Sequence, residues 1–327
     1  MDVNNTTMES YIIISNRFKI PLFCILVLEL SVGFMSCASV IWIYWKKRHI
    51  RTAANFFITN LAVVDALISV FGISFTIARL GLFPLHSQLF CLSHEGITSA
   101  LRNASVATLL LISYDRYESI TNPFRLRINF KKAKRALFFL WLFAGISFTL
   151  PFIEYGVKKD NIHPLQSCVY FFSKTSSSYR IRLYYFPVFF IATIITLPCY
   201  WRISKAALSR IHHIQSIVVK TSLVIPMGPS LDRRRETTHL RQKEWKVAKM
   251  TGAIMCSVCI LWFPYMIFTF ILSFRTPNST LAKLEYIFLV LGYLNCTLNP
   301  LLYAFTKQKF RNAFLRTLPK FGKWKNT

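Results

Sequence analysis

Seven long apolar runs, separated by short polar or basic segments, set the pattern of this chain. They cover 21–45, 53–78, a stretch beginning at 91 and closing at 123, 133–155, 182–206, 246–274 and 281–305. Each holds about 20 or more predominantly apolar residues, the length an α-helix needs to cross a hydrocarbon core of about 30 Å. The pattern predicts an all-α membrane protein, a bundle of seven spanning helices. Prolines at 151, 187, 198 and 264 lie within the runs, where neighbouring helices must satisfy the carbonyls they free. Beyond the last run, Phe305, Phe310, Phe314 and Leu318 recur at helical spacing among Lys and Arg. That predicts a short amphipathic eighth helix on the membrane surface. No cysteine follows it here, so no palmitoyl anchor is expected at this helix.

Charge gives these runs a direction. The net charge of +27 would suggest nucleic acid in a soluble chain. Here 28 of the 40 Lys and Arg fall in 46–51, 122–135, 201–249 and 306–327, segments that alternate along the chain and so share one side. By the positive-inside rule that side is the cytosol, and no nucleic-acid role is expected. A basic inner surface also suits anionic lipid and an acidic partner. The expected organisation is an extracellular tail over 1–20, a membrane domain over 21–305 with its longest inner loop near 209–242, and helix eight with a cytoplasmic tail over 306–327. The sequons at Asn4, Asn5 and Asn278 then lie outside and are candidate glycosylation sites. No charged segment leads into a cleavable apolar one at the N-terminus, so the first span is expected to serve as the insertion signal.

Few polar residues interrupt the spans. Asp65 sits near the middle of the second, where a carboxylate is costly and is by default a functional hypothesis, with a hydrogen-bonded structural role as the alternative. Arg102, within the third, should face the bundle interior, holding a ligand anion or pairing with Glu95 two turns away. Cys91 and Arg116 are 25 residues apart, about 37 Å of helix, which puts a cysteine at one face and Asp115-Arg116-Tyr117 at the other. Cys91 and Cys168 are the cysteines expected at the outer face. Cys256 and Cys259, i and i+3 in an apolar run, are better explained by packing than by metal.

These residues together resemble the rhodopsin-like (class A) G-protein-coupled receptors. The likeness rests on NLAVVD ending at Asp65, Cys91, the DRY triplet with Ile120 and Pro123 after it, Trp141, Cys168, Cys199-Tyr200, Trp262-Phe263-Pro264 and Asn299-Pro300-Leu-Leu-Tyr303 followed by Phe310. It covers nearly the whole chain. There are departures: Cys37 where the family usually has asparagine, Ala192 where a proline is usual, and Val258 where a phenylalanine usually repacks on activation.

The resemblance implies a plasma-membrane receptor, not an enzyme, that signals to heterotrimeric G proteins by outward movement of span six. The inhibitory class is the family-frequency expectation, with arrestin and receptor kinases as further partners. Arg116 would pair with Asp115 at rest and with Glu244 at the foot of span six, or Glu244 is simply a surface residue. Tyr200 and Tyr303 would meet Arg116 on activation, while Ile120 and Phe124 face the G protein. Asp65, Ser105, Asn295 and Asn299 match an internal sodium site, the only cofactor-like ligand expected. Cys91 and Cys168 would form the outer disulfide. The amine anchor of the family is replaced by Thr98 and the retinal lysine by Tyr293. Glu95, Thr98, Arg102, Glu154, Tyr265, Glu285 and Tyr293 remain as candidates for an extracellular, peptide-like or lipid ligand. A receptor acting constitutively or through a partner is the alternative. A transporter or channel is the other class, although no inverted repeat is visible.

Overall fold

The computed structural model describes residues 15–48, 51–78, 80, 88–121, 128–157, 188–202, 205, 209, 252–271 and 279–306. Within them lie helices α1 (Asn16–Lys46), α2 (Ala53–Ile77), α3 (Gln88–Thr121), α4 (Phe130–Val157), α5 (Val188–Arg202), α6 (Gly252–Ile271) and α7 (Ser279–Thr306). All but α5 are long and apolar enough to cross a membrane, and α5 is a shorter apolar helix. Asn4, Asn5, Pro123, Phe124, Cys168, Pro187, the 209–242 loop beyond 209, Glu244, Asn278 and the amphipathic stretch after 306 fall outside the described residues.

The helices overrun several of the expected limits. α1 starts five residues before Pro21, because a proline near a helix start deprives only one upstream carbonyl of its donor. α3 begins three residues before Cys91, and α4 extends beyond 133–155 at both ends. At the head of α2, Thr52 Oγ1 accepts from Asn55 N at 3.3 Å and caps an otherwise unsatisfied donor. α2 then widens to π-helical geometry over Ile68–Ile73. Ser69 within that segment and Thr76 just beyond it bond back to the carbonyls of Asp65 and Gly72, at 2.9 Å each, competing with the backbone ladder.

α2 and α3 are the most buried helices, whereas α1 and α4 each turn a wide face outward. That face carries residues such as Leu28 and Met35 on α1, and Phe138, Leu142 and Ile146 on α4. In water it would be a large sticky surface; in hydrocarbon it is ordinary. Polar bonds fasten the interior. Asn60 donates through Nδ2 to Thr108 Oγ1 at 2.9 Å and accepts at Oδ1 from Trp141 Nε1 at 3.0 Å, joining α2, α3 and α4. Asn103 Nδ2 donates to Ser147 Oγ at 2.9 Å, a second α3–α4 link. Cys37, fully buried, points its thiol at the Cys296 carbonyl at 3.6 Å, so a thiol joins α1 to α7 where the family usually has an amide.

Candidate functional site

Polar residues gather at three levels of the bundle. At the Arg116 end of α3, Asp115 is buried and Arg116 nearly so. Arg116 Nε donates to Asp115 Oδ2 at 3.0 Å, and its Nη2 also closes on that oxygen. Asp115 and Arg116 are therefore ion-paired. Tyr117 is half-buried beside them. Tyr200 of α5 lies against Gly252 of α6, where a Cβ on that glycine would overlap the tyrosine ring at Cζ. The tyrosine ring thus occupies space that any other residue would fill. The side chains of Ile120 and Tyr303 are not among those described, and no pairing of Arg116 with Glu244 can be described.

The middle level is built by α2, α3 and α7. Asp65 is fully buried, and its Oδ2 accepts from Asn299 Nδ2 at 2.9 Å. Ser105 and Asn295 are buried as well. Asp65 Oδ1, Asn295 Oδ1 and Asn299 Oδ1 have no hydrogen-bond partner among the described residues. Three acceptor oxygens without donors form a donor set that fits a small hard cation. No group of three His, Cys, Asp or Glu side chains suitable for a transition metal occurs among the described residues. Cys256 is exposed and Cys259 half-buried, both as free thiols.

Toward the Cys91 end, Arg102 Nη2 lies 3.6 Å from Glu95 Oε1 and 3.4 Å from Thr98 Oγ1. All three residues are on α3, so the pairing of Arg102 with Glu95 is internal to one helix. Trp262 meets Tyr265 and Tyr293 edge-on, with ring centroids 6.0 and 6.2 Å apart, and Tyr293 Oη shares a hydrogen bond with Thr76 Oγ1 at 3.0 Å. The indole also packs on Gly292, where a Cβ would lie 3.0 Å from its ring. Pro264 and Glu285 are half-buried and Pro300 is buried. Glu154 lies in α4, without a described side chain, as does Cys91 in α3.

The geometry now has a helix count, an ion-paired Arg116 and a carboxylate bonded across α2 and α7. The family model of seven-transmembrane receptors of the rhodopsin type matches residues 37–303. The chain belongs to the rhodopsin family of seven-transmembrane receptors. The receptor is 27% identical to G-protein coupled receptor 22 of Mus musculus, over 93% of this chain and 80% of that one. It is 28% identical to 5-hydroxytryptamine receptor 4 of Homo sapiens, over 83% of this chain and 72% of that one. The crystal structure of squid rhodopsin superposes with a TM-score of 0.73 over 94% of this chain and 87% of that one, at 18% identity, which supports the fold. The chain is thus a multi-pass membrane receptor of the G-protein-coupled class, not an enzyme.

Sequence reasoning passed over several residues of this receptor. Glu29 is buried in α1, and its signal was the one that marked Asp65, an acid inside an apolar run. Asn60 entered only as the first residue of NLAVVD, and its bonds to α3 and α4 went unread because a neutral amide is a weaker signal than an acid. Gly252 gave none, because a notch is visible only once the ring that fills it is placed.

Proposed function

We propose that this receptor sits in the plasma membrane with its N-terminus outside and carries an extracellular signal to a heterotrimeric G protein. The observation that supports this most directly is the Arg116–Asp115 pair at the foot of α3. A partly dry ion pair adds little net stability, yet removing one partner leaves an unpaired charge, which costs about 3–5 kcal/mol where burial is complete and less here, where Arg116 keeps some exposure. Such a pair suits a latch between two states. In this reading the latch opens as α6 swings outward, Tyr200 leaves Gly252, and Tyr200 and Tyr303 turn to Arg116. Glu244, eight residues before the first residue of α6, would complete the latch. The exposed cleft, with Ile120 and Phe124, takes the G protein, of the inhibitory class by family frequency. Arrestin and receptor kinases would use the same basic face.

Sodium at Asp65, Ser105, Asn295 and Asn299 would hold the resting state if that state binds it better. The three unpartnered oxygens there support this assignment. The ligand would reach the Arg102 level from the Cys91 end. Although one relative is named for an amine, Thr98 offers no carboxylate to an ammonium, and Arg102 already has Glu95 beside it. An internally balanced pair above an aromatic floor of Trp262, Tyr265 and Tyr293 favours a ligand with a large apolar body, peptide-like or lipid. The disulfide between Cys91 and Cys168 and the glycans at Asn4, Asn5 and Asn278 complete the outer face in this reading.

The test is basal nucleotide exchange on a panel of G proteins in membranes holding the parent or Arg116→Ala at equal expression. A basal signal lost in the variant supports coupling through this end of α3. A signal of equal size in both overturns it.

A further inference from the structure

α1 carries a carboxylate that lies outside the Asp65 centre. Glu29 is only 4% exposed, and neither carboxylate oxygen has a hydrogen-bond partner among the described residues. Gly33 follows it by one turn on the same helix face. A Cβ at Gly33 would lie 3.1 Å from Ser69 Oγ of α2 and 3.3 Å from Thr297 Oγ1 of α7. The missing side chain therefore leaves a notch where hydroxyls from two other helices converge. Thr297 Oγ1 is buried there and also has no partner among the described residues. Ser69 Oγ donates to the Asp65 carbonyl at 2.9 Å, which uses its proton and leaves its lone pairs. Cys296, next to Thr297, lies within electrostatic range of both Glu29 and Asp65. Both carboxylates thus act electrostatically on the same turn of α7.

We propose that Glu29, Ser69 and Thr297 form a second small-cation site, between α1, α2 and α7, that takes sodium and is kept open by Gly33. An ionised carboxylate in an apolar interior without donors is strongly unfavourable, so it takes up either a proton or a counter-ion. The donors are all oxygen, which selects a hard cation over a transition metal. One carboxylate and two neutral hydroxyls balance a single positive charge, not two. The site is contiguous with the Asp65 centre through Ser69 but has its own carboxylate. An ion held there would draw α1 onto α7 one turn from the Cys37–Cys296 contact.

The test uses the full chain purified in detergent and follows thermal unfolding in sodium chloride against choline chloride at equal ionic strength. Parent, Glu29→Gln, Asp65→Asn, the double variant and Gly33→Ala are compared. Sodium should raise the midpoint of the parent, and each single carboxylate variant should keep part of that shift. The double variant should lose it, with sodium affinity at least about tenfold below that of Asp65→Asn alone. Gly33→Ala keeps both carboxylates and should behave like Glu29→Gln; it carries the comparison should Glu29→Gln fail to fold. The proposal is overturned if Asp65→Asn alone abolishes the shift, or if Glu29→Gln and Gly33→Ala both keep all of it. In either case sodium at Asp65 survives. A shift lost in Glu29→Gln and intact in Asp65→Asn supports the new site and removes the other. Indifference of the parent to sodium overturns both, and a response of Glu29 to pH with none to sodium overturns the new site in favour of a proton.

Discussion

Replacing Gly252 with alanine asks whether the Tyr200 ring is held by the shape of α6. The added Cβ would overlap Tyr200 Cζ, Oη and Cε2. Ordinary carbon contacts lie at about 3.5–4.0 Å, so the ring must give way by well over an ångström. Overpacking of this kind costs about 1–3 kcal/mol, while alanine in place of glycine inside a helix returns about 0.8–1.0 kcal/mol. The two effects separate in a double-mutant cycle. Gly252→Ala should destabilise the parent by up to about 2 kcal/mol, yet stabilise a Tyr200→Ala background by about 1 kcal/mol, giving a coupling of about 1–3 kcal/mol. Unfolding of the purified receptor by titration of mixed micelles with SDS measures each corner of the cycle. If the displaced ring also weakens the resting arrangement by one or two kcal/mol, the balance of states shifts about 5- to 30-fold, read as higher basal nucleotide exchange. A coupling below about 0.5 kcal/mol would refute the argument, since the glycine and the ring would then act independently.

Three further substitutions probe the frame. Trp141→Phe removes the Nε1 donor and strands Asn60 Oδ1 in the interior, so stability should fall by about 1–3 kcal/mol; thermal unfolding of the parent and variant decides, and equal midpoints would count against the bond. Gly96→Ala sets a Cβ 2.8 Å from the Phe148 carbonyl oxygen, a backbone atom that cannot swing aside, and should push α3 from α4 at a cost of about 1–3 kcal/mol, seen as a lower yield of folded receptor and a lower midpoint. Asn299→Leu deprives Asp65 Oδ2 of its donor and should cost about 1–3 kcal/mol by the same unfolding measurement, with no change if that bond is dispensable.

How far the chain could be read in advance depended on whether the governing physics is local. The spans were legible because hydrocarbon thickness sets a run length that a sequence displays directly. Their ends were less so: Pro21 looked like a helix start, but one missing donor near a helix end is tolerated, and α1 runs on to Asn16. Asp65 was legible as an isolated acid, but its bond to Asn299 joins residues far apart in sequence, and only the family pattern tied them together. For Arg102 the sequence left a ligand and Glu95 equally open, because spacing on one helix fixes the face and not the reach of a long side chain. The structure brings Glu95 to 3.6 Å. Glu29 went unread although its local signal equalled that of Asp65. Its interest comes from Gly33, Ser69 and Thr297, three residues unremarkable by themselves, and it arises only when α1, α2 and α7 are set side by side.

The fastenings described earlier differ in their mechanics. Asn60, Trp141, Thr108, Asn103, Ser147, Asp65 and Asn299 tie α2, α3, α4 and α7 by directional bonds. Such bonds resist shear until they break, and then give way at once. The grip on α6 is of another kind: Ser113 reaches the Met255 thioether at 3.7 Å, Phe190 packs on Phe263 at 5.7 Å, and rings rest on Gly252 and Gly292. A thioether is a weak, forgiving acceptor, and a ring on a bare backbone can slide by fractions of an ångström with little penalty. Among the described residues, α2, α3, α4 and α7 therefore make a stiff frame against which α6 is lubricated. Under an applied load, α6 would creep while the Asn60 network stayed rigid.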